Sequence, residues 1–136
     1  MNLLSFRLAY QWYALELAHI SEVLWMVYLE EMPSSSPEIL GLLTTRYASM
    51  PVLDLRKRFQ LPEAPIKLYT PLITSHYQDK HMAFLVDEAK EVISIHSNQL
   101  RPIEISPYIS HSFEYFGELF RLIKLDTLLS SVQTVH

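Results

Sequence analysis

Apolar and polar residues alternate along most of the chain, and the runs are short. Leu4, Phe6 and Leu8 alternate with Ser5, Arg7 and Ala9, which predicts a strand. Tyr10-Gln11 turns the chain, and Tyr13, Leu15 and Leu17 then share one side of a second strand. Residues 4–17 are therefore expected to form a hairpin. Ile20, Val23 and Leu24 have the spacing of one helix face, which predicts a helical turn over 18–24. Val23 and Leu24 are expected in the core and Ile20 on a contact face. Trp25 to Leu29 reads as extended, and residues 30–37 as a loop in which Ser36 caps a turn opened by Pro37.

The stretch from Gly41 to Phe59 reads as strand, turn, strand, helix. Ile39 to Thr45 and Met50 to Leu53 are the apolar runs, and Arg46-Tyr47-Ala48-Ser49 breaks them. Asp54 stands where a helix N-cap belongs, its carboxylate able to accept from the first free amides. Leu55 and Phe59 share one helix face. Beyond the 61–65 loop, Leu68 to His76 predicts a strand that Pro71 restricts to an edge or a late start. His81–Val86 and Val92–Ile95 predict further strands, 97–100 a turn or a single helical turn, and 101–107 an extended loop. Phe113–Phe116 and Leu119–Leu125 predict a hairpin across Gly117-Glu118. Asp126 is expected to start a C-terminal helix, and residues 132–136 to fray. Leu53-Asp54 and Leu125-Asp126 form an internal echo, each ending a strand and entering a helix. Many short strands with frequent turn signals indicate barrels or a sandwich rather than βαβ units.

Composition narrows the function. The chain has 136 residues, 49% of them apolar, enough for one compact unit or two very small ones sharing a core. Fifteen acids against 11 bases give a formal charge of −4, which disfavours a nucleic-acid partner. Cysteine is absent, so there is no disulfide and no thiolate metal site. Only two glycines occur, where average usage of about 7% gives roughly nine or ten, so no glycine-rich phosphate loop can be written. The start is read as neither signal peptide nor membrane anchor, and no apolar run reaches the ~18 residues of a membrane helix. A cytoplasmic location is expected. Residues 1–45 carry one cation against five acids, whereas 46–67 carry five cations against two, an uneven field able to orient a partner.

Gly41, Arg46, Pro51, Val52, Asp54, Leu55 and Arg56 resemble, in order and spacing, the turn and strand of the CheW family of chemotaxis coupling proteins. Thr44 stands where the family has Asn, and Tyr47 where it has Gly. The resemblance extends over about residues 4–129: Phe6-Arg7-Leu8 with Tyr13–Leu17, Ile20–Val23, Leu85–Ala89 with Val92, and Leu122–Leu129. It implies an all-β fold of two five-stranded SH3-like barrels packed through a shared apolar seam, with short helices. One subdomain is expected to take roughly residues 1–60 plus the C-terminal segment, the other roughly 66–120. The implied function is a non-enzymatic adaptor without cofactor or metal. It would couple the cytoplasmic tip of a chemoreceptor (a methyl-accepting chemotaxis protein) to the regulatory domain of a CheA-type histidine kinase. A scaffold for surface (twitching) motility is the related alternative, and a small-barrel nucleic-acid module the unrelated one.

Carried over position by position, the partner-binding surface comprises Ile20, Glu22, Gly41, Thr44, Arg46 and Tyr47. A helical hairpin of the partner is expected to lie in a groove between the barrels. The guanidinium of Arg46 offers a planar donor fork for carbonyls or carboxylates. Tyr47 resists the positive φ that Gly permits, so the turn is expected to differ in shape. Thr44 lacks the amide with which Asn braces such a turn. The kinase-facing surface is expected on exposed apolar barrel edges, without assigned residues. His76 and His81 flank one predicted turn, but a zinc site needs three or four ligands. Asp87-Glu88 bounds a strand, where neighbours face opposite ways, so it is not an acid pair for catalysis.

Overall fold

In the computed structural model, residues 1–33 and 36–132 are described. The expected fraying therefore falls, for 133–136, outside the described residues. The strands are β1 (Asn2–Leu8), β2 (Gln11–Glu16), β3 (Ile20–Trp25), β4 (Ile39–Thr44), β5 (Ser49–Asp54), β6 (Pro71–Tyr77), β7 (Lys80–Leu85), β8 (Glu88–Ser94), β9 (Arg101–Pro102), β10 (Ile109–Tyr115) and β11 (Glu118–Ile123). Two short helices, α1 (Leu55–Arg58) and α2 (Leu125–Ser131), follow β5 and β11. The strands form two sheets, ordered β8-β1-β2-β11-β10-β9 and β3-β6-β7-β5-β4. Each contains one parallel pair, β2 with β11 and β5 with β7. Past β3 the chain reaches Glu30, which exchanges backbone hydrogen bonds of 3.0 and 2.7 Å with Leu42 and closes the second sheet on itself.

The all-β architecture matches the expectation, while the partition of strands differs. The first barrel takes residues 2–16 and 88–123, the second 20–54 and 71–85. The chain crosses over at the 3-10 turn Leu17–His19 and returns at Val86-Asp87. Strand pairing over such separations leaves no mark in local composition, so sequence contiguity misassigns it.

Central strands are buried on both faces because each face has a different neighbour. In β1, Phe6 and Leu8 enter the seam between the barrels and Leu3 enters its own barrel. In β7, Met82 and Phe84 enter the seam, and Ala83 and Leu85 the second barrel. β2, β5 and β6 divide in the same way, with Ala14, Val52 and Leu72 inside the barrels and Leu15, Leu53 and Ile73 in the seam. The period of two thus sorts one strand between two cores. Leu55, Leu128 and Leu129 fill the seam from the helices.

Three local expectations are corrected. Residues 20–25 form a strand rather than a helical turn, with Ile20 and Leu24 partly buried and Val23 46% exposed. Three apolar residues at helical spacing in so short a run also fit a strand, and pairing with β6 decides it. Pro71 begins β6, the late start expected of it, and β6 lies inside the sheet between β3 and β7. The loop over 101–107 contributes the two-residue strand β9, which makes the first sheet six-stranded. The Leu-Asp echo is not one motif: Asp54 caps α1, accepting from Arg56 N at 3.1 Å and Lys57 N at 3.4 Å, whereas Lys124 is the N-cap of α2 and Asp126 lies inside it.

Candidate functional site

The β4–β5 hairpin carries four of the six candidate residues. Thr45 builds its tip: its hydroxyl accepts from Tyr47 N at 3.1 Å and Ala48 N at 3.2 Å, and its amide donates to Ala48 O at 2.9 Å. The brace expected from an Asn side chain at 44 is therefore supplied one residue later by a hydroxyl. Tyr47 is not among the non-glycine residues with positive φ, so this turn accommodates a side chain where the family pattern has Gly. Thr44 is exposed and its hydroxyl meets that of Ser49 at 3.0 Å.

Arg46 is exposed and joins no ion pair among the described residues. Its guanidinium lies 6.0 Å from the Tyr47 ring centroid, and Tyr47 is 71% exposed. Gly41 is buried, contrary to a place on the docking surface. A Cβ built there would stand 2.6 Å from Glu30 O and 2.9 Å from Leu29 Cβ. Gly41 therefore serves the barrel closure, letting the two strands approach.

Ile20 and Glu22 lie on β3, at the opposite edge of the same sheet's strand order from β4. The register with β6 shifts between them, and the Thr74 hydroxyl fills the irregularity, accepting from Glu22 N at 2.8 Å and donating to Glu22 O at 3.3 Å. A buried serine does the same for the first barrel, where Ser5 bonds Glu91 O at 2.9 Å and Glu91 N at 3.2 Å. The structure therefore places Gly41, Thr44, Arg46 and Tyr47 along one hairpin, and Ile20 and Glu22 on the strand at the sheet's other edge, paired with β6.

Apolar side chains absent from the sequence reading flank this hairpin. Moving back from Glu30 toward Trp25 runs in the direction of β4 toward its tip. Trp25 is 65% and Tyr28 86% exposed on that stretch, while Leu24, Met26 and Leu29 pack inside. The run reads as extended in the sequence, but all five residues from Trp25 to Leu29 are apolar, so nothing there marks which side faces solvent. A second exposed group lies on the first barrel. The parallel β2–β11 pair brings both hairpin tips to one end, Gln11 bridges them by bonding Leu119 O at 2.8 Å, and Tyr10, Phe116 and Leu119 are all exposed.

Two segments that carry the family pattern meet at a structural clamp. Arg56 grips Asp87 with two hydrogen bonds, Nε to Oδ1 at 2.8 Å and a second from its terminal nitrogen to Oδ2. Asp87 also accepts from Ala9 N at 2.7 Å, and Arg7 stands 3.6 Å away. Burial pushes the Asp87 carboxyl up, but the Arg56 and Ala9 hydrogen bonds and the charges of Arg56 and Arg7 prevail and hold it below its ordinary value. The hydrogen bond to Asp87 correspondingly raises Arg56. This clamp ties α1 of the second barrel to the β1–β2 turn of the first, so Arg56 and Asp87 act in the fold.

His76 and His81 do approach, as opposite residues of β6 and β7 with ring centroids 6.2 Å apart. His19 extends the row, 6.4 Å from His76. No group of three or more metal-binding side chains gathers among the described residues.

Comparison with known proteins agrees with this geometry. The family model of the CheW-like domain matches residues 2–133. The chemotaxis protein CheW of Bacillus subtilis is 33% identical over 88 residues, 65% of this chain and 56% of that protein. The chemotaxis protein CheW of Rhizobium meliloti is 21% identical over 139 residues, 96% of this chain and 88% of that protein. Among solved structures, the scaffolding protein TtCheW from Thermoanaerobacter tengcongensis superposes with a TM-score of 0.83 at 23% identity, over 90% of this chain and 88% of that one. With a family match across nearly the whole length and two barrels sharing a seam, this chain belongs to the CheW-like domain family.

Proposed function

We propose that the protein is a non-catalytic adaptor that couples a chemoreceptor's cytoplasmic tip to a CheA-type histidine kinase. The observation that carries this reading is the state of Arg46. Its cation is solvent-facing, without an ion pair among the described residues, on a turn whose backbone Thr45 holds in place. A guanidinium so presented can fix the orientation of a partner's carbonyls or carboxylates without first breaking an internal bond. Tyr47 adds an exposed ring 6.0 Å from it, and Trp25 and Tyr28 are exposed on the run that leads to the Glu30–Leu42 bridge with β4. Aromatic and arginine side chains are the types that dominate the energy of protein interfaces. Ile20 and Glu22 extend this surface along β3. The exposed tips at Tyr10, Phe116 and Leu119 suit the second partner, the kinase, because they lie on the other barrel and leave the receptor face free.

The test is capture of a purified receptor tip and of a kinase regulatory domain by the wild type and by Arg46→Ala. The substitution is expected to weaken receptor capture about tenfold or more, the loss of a well-placed interface arginine. Its unfolding midpoint should stay at the wild-type value. Phe116→Ser should weaken kinase capture and spare receptor capture. Unchanged capture of both partners by Arg46→Ala would remove Arg46 from the site.

A further inference from the structure

A cleft of about 580 Å³ opens at the seam beside α1. Pockets that take small organic molecules span about 300–1,000 Å³. Each barrel supplies it with one arginine, Arg121 from β11 and Arg58 from the end of α1. Its wall is aromatic: the rings of Tyr13 and Phe59 are 5.6 Å apart, and those of Phe59 and Tyr108 stack at 6.0 Å and 15°.

The two guanidiniums are in different states. Arg58 is committed, pairing with Glu38 at 3.0 Å, donating to Ser131 O at 3.1 Å and lying 4.9 Å over the Tyr108 ring. Arg121 joins no ion pair among the described residues, and its polar neighbour is the Tyr13 hydroxyl. Burial raises the Tyr13 phenol, with Arg121 opposing the rise, so the phenol stays neutral at physiological pH and does not balance the guanidinium. Glu38 is the single carboxylate among the described lining residues, and Arg58 takes it. Among the described lining residues one positive charge is left beside the aromatic rings, and partial burial of Arg121 screens it less than open solvent would.

We propose that this cleft binds a small organic anion, a carboxylate carried on a flat aromatic body. The carboxylate meets Arg121, whose fork matches its two oxygens. The ring lies along Phe59 and Tyr108 in offset stacking. The single unbalanced charge favours a monoanion over a polyphosphate. Because the lining comes from both barrels, the bound molecule bridges their seam.

The test is calorimetric titration of the whole chain with indole-3-acetate as probe, alongside indole-3-acetamide and cyclohexanecarboxylate. The acid is expected to bind about tenfold or more tightly than its neutral amide, and more tightly than the saturated acid. Arg121→Gln should cost the acid about tenfold in affinity and leave the amide unchanged. Tyr108→Leu should erase the preference for the aromatic ring, and unfolding curves of both variants verify that they fold. Equal binding of acid and amide, wild-type affinity in Arg121→Gln, or no titration heat at millimolar probe would overturn the proposal. Loss of protein-partner capture by Arg121→Gln, without any probe binding, would instead assign the cleft to an acidic side chain of that partner.

Discussion

Replacing Arg56 with methionine removes the guanidinium from the clamp while keeping most of the apolar stem. Asp87 then keeps one backbone donor, Ala9 N at 2.7 Å, and Arg7 at 3.6 Å. Both clamp side chains are largely shielded, with 17% of Arg56 and 15% of Asp87 exposed. Breaking a fully buried pair by removing one partner costs about 3–5 kcal/mol, and an exposed pair is worth about 0–1 kcal/mol. Partial burial and the remaining Arg7 place this site between them, at about 2 kcal/mol. For a domain of this size that lowers the unfolding midpoint by about 6–10 °C. Urea unfolding followed by circular dichroism measures it, and a cycle with Asp87→Asn isolates the pair, with an expected coupling of about 1–2 kcal/mol. Acid supplies a second reading. The folded carboxyl is held below its ordinary value, so it binds its proton at lower pH in the folded chain than in the unfolded one. Its contribution is complete above the unfolded value and is lost as pH falls through the folded one. The stability gap between wild type and Asp87→Asn should be flat near neutrality and close below pH of about 4. A cost under about 0.5 kcal/mol for Arg56→Met, or additive effects of the two substitutions, would refute the clamp.

Three further outcomes are expected. Gly41→Ala should destabilise by about 1–3 kcal/mol, as measured by thermal unfolding, because its Cβ would press on Glu30 O across the barrel closure. Thr45→Val should speed hydrogen exchange at the Tyr47 and Ala48 amides and cost about 1 kcal/mol, while Thr44→Val leaves those amides protected. Asp54→Ala should cost about 1 kcal/mol as a lost N-cap, and Asp126→Ala only a few tenths, since Asp126 lies inside α2 rather than capping it; paired urea curves compare them.

The hairpins were legible because their information is local. Leu4 to Leu15 alternates, the β4–β5 stretch breaks at Arg46-Tyr47, and Asp54 announces α1 by the chemistry of its own side chain. Residues 20–25 were not, because six residues of mixed apolar character satisfy either period until a neighbouring strand chooses. Arg46 was legible as a turn cation, and that it joins no ion pair among the described residues became clear only in the folded chain. The brace at Thr45 went unread because a hydroxyl can serve either neighbouring position, and only the folded backbone selects one. Gly41 was assigned to a surface because its partner across the closure, Glu30, is eleven residues away and carries no matching sequence signal.

What the chain's own residues determined is therefore the strand class, the turn positions, the first helix cap and the family pattern. All rest on side chains acting within a few residues of themselves. Only the tertiary structure decided which strands share a barrel, that Arg56 finds Asp87, and that Arg58 and Arg121 line one cleft. Those outcomes depend on parallel pairings and seam packing between segments tens of residues apart. The free energy of such contacts exists only once both segments are in place.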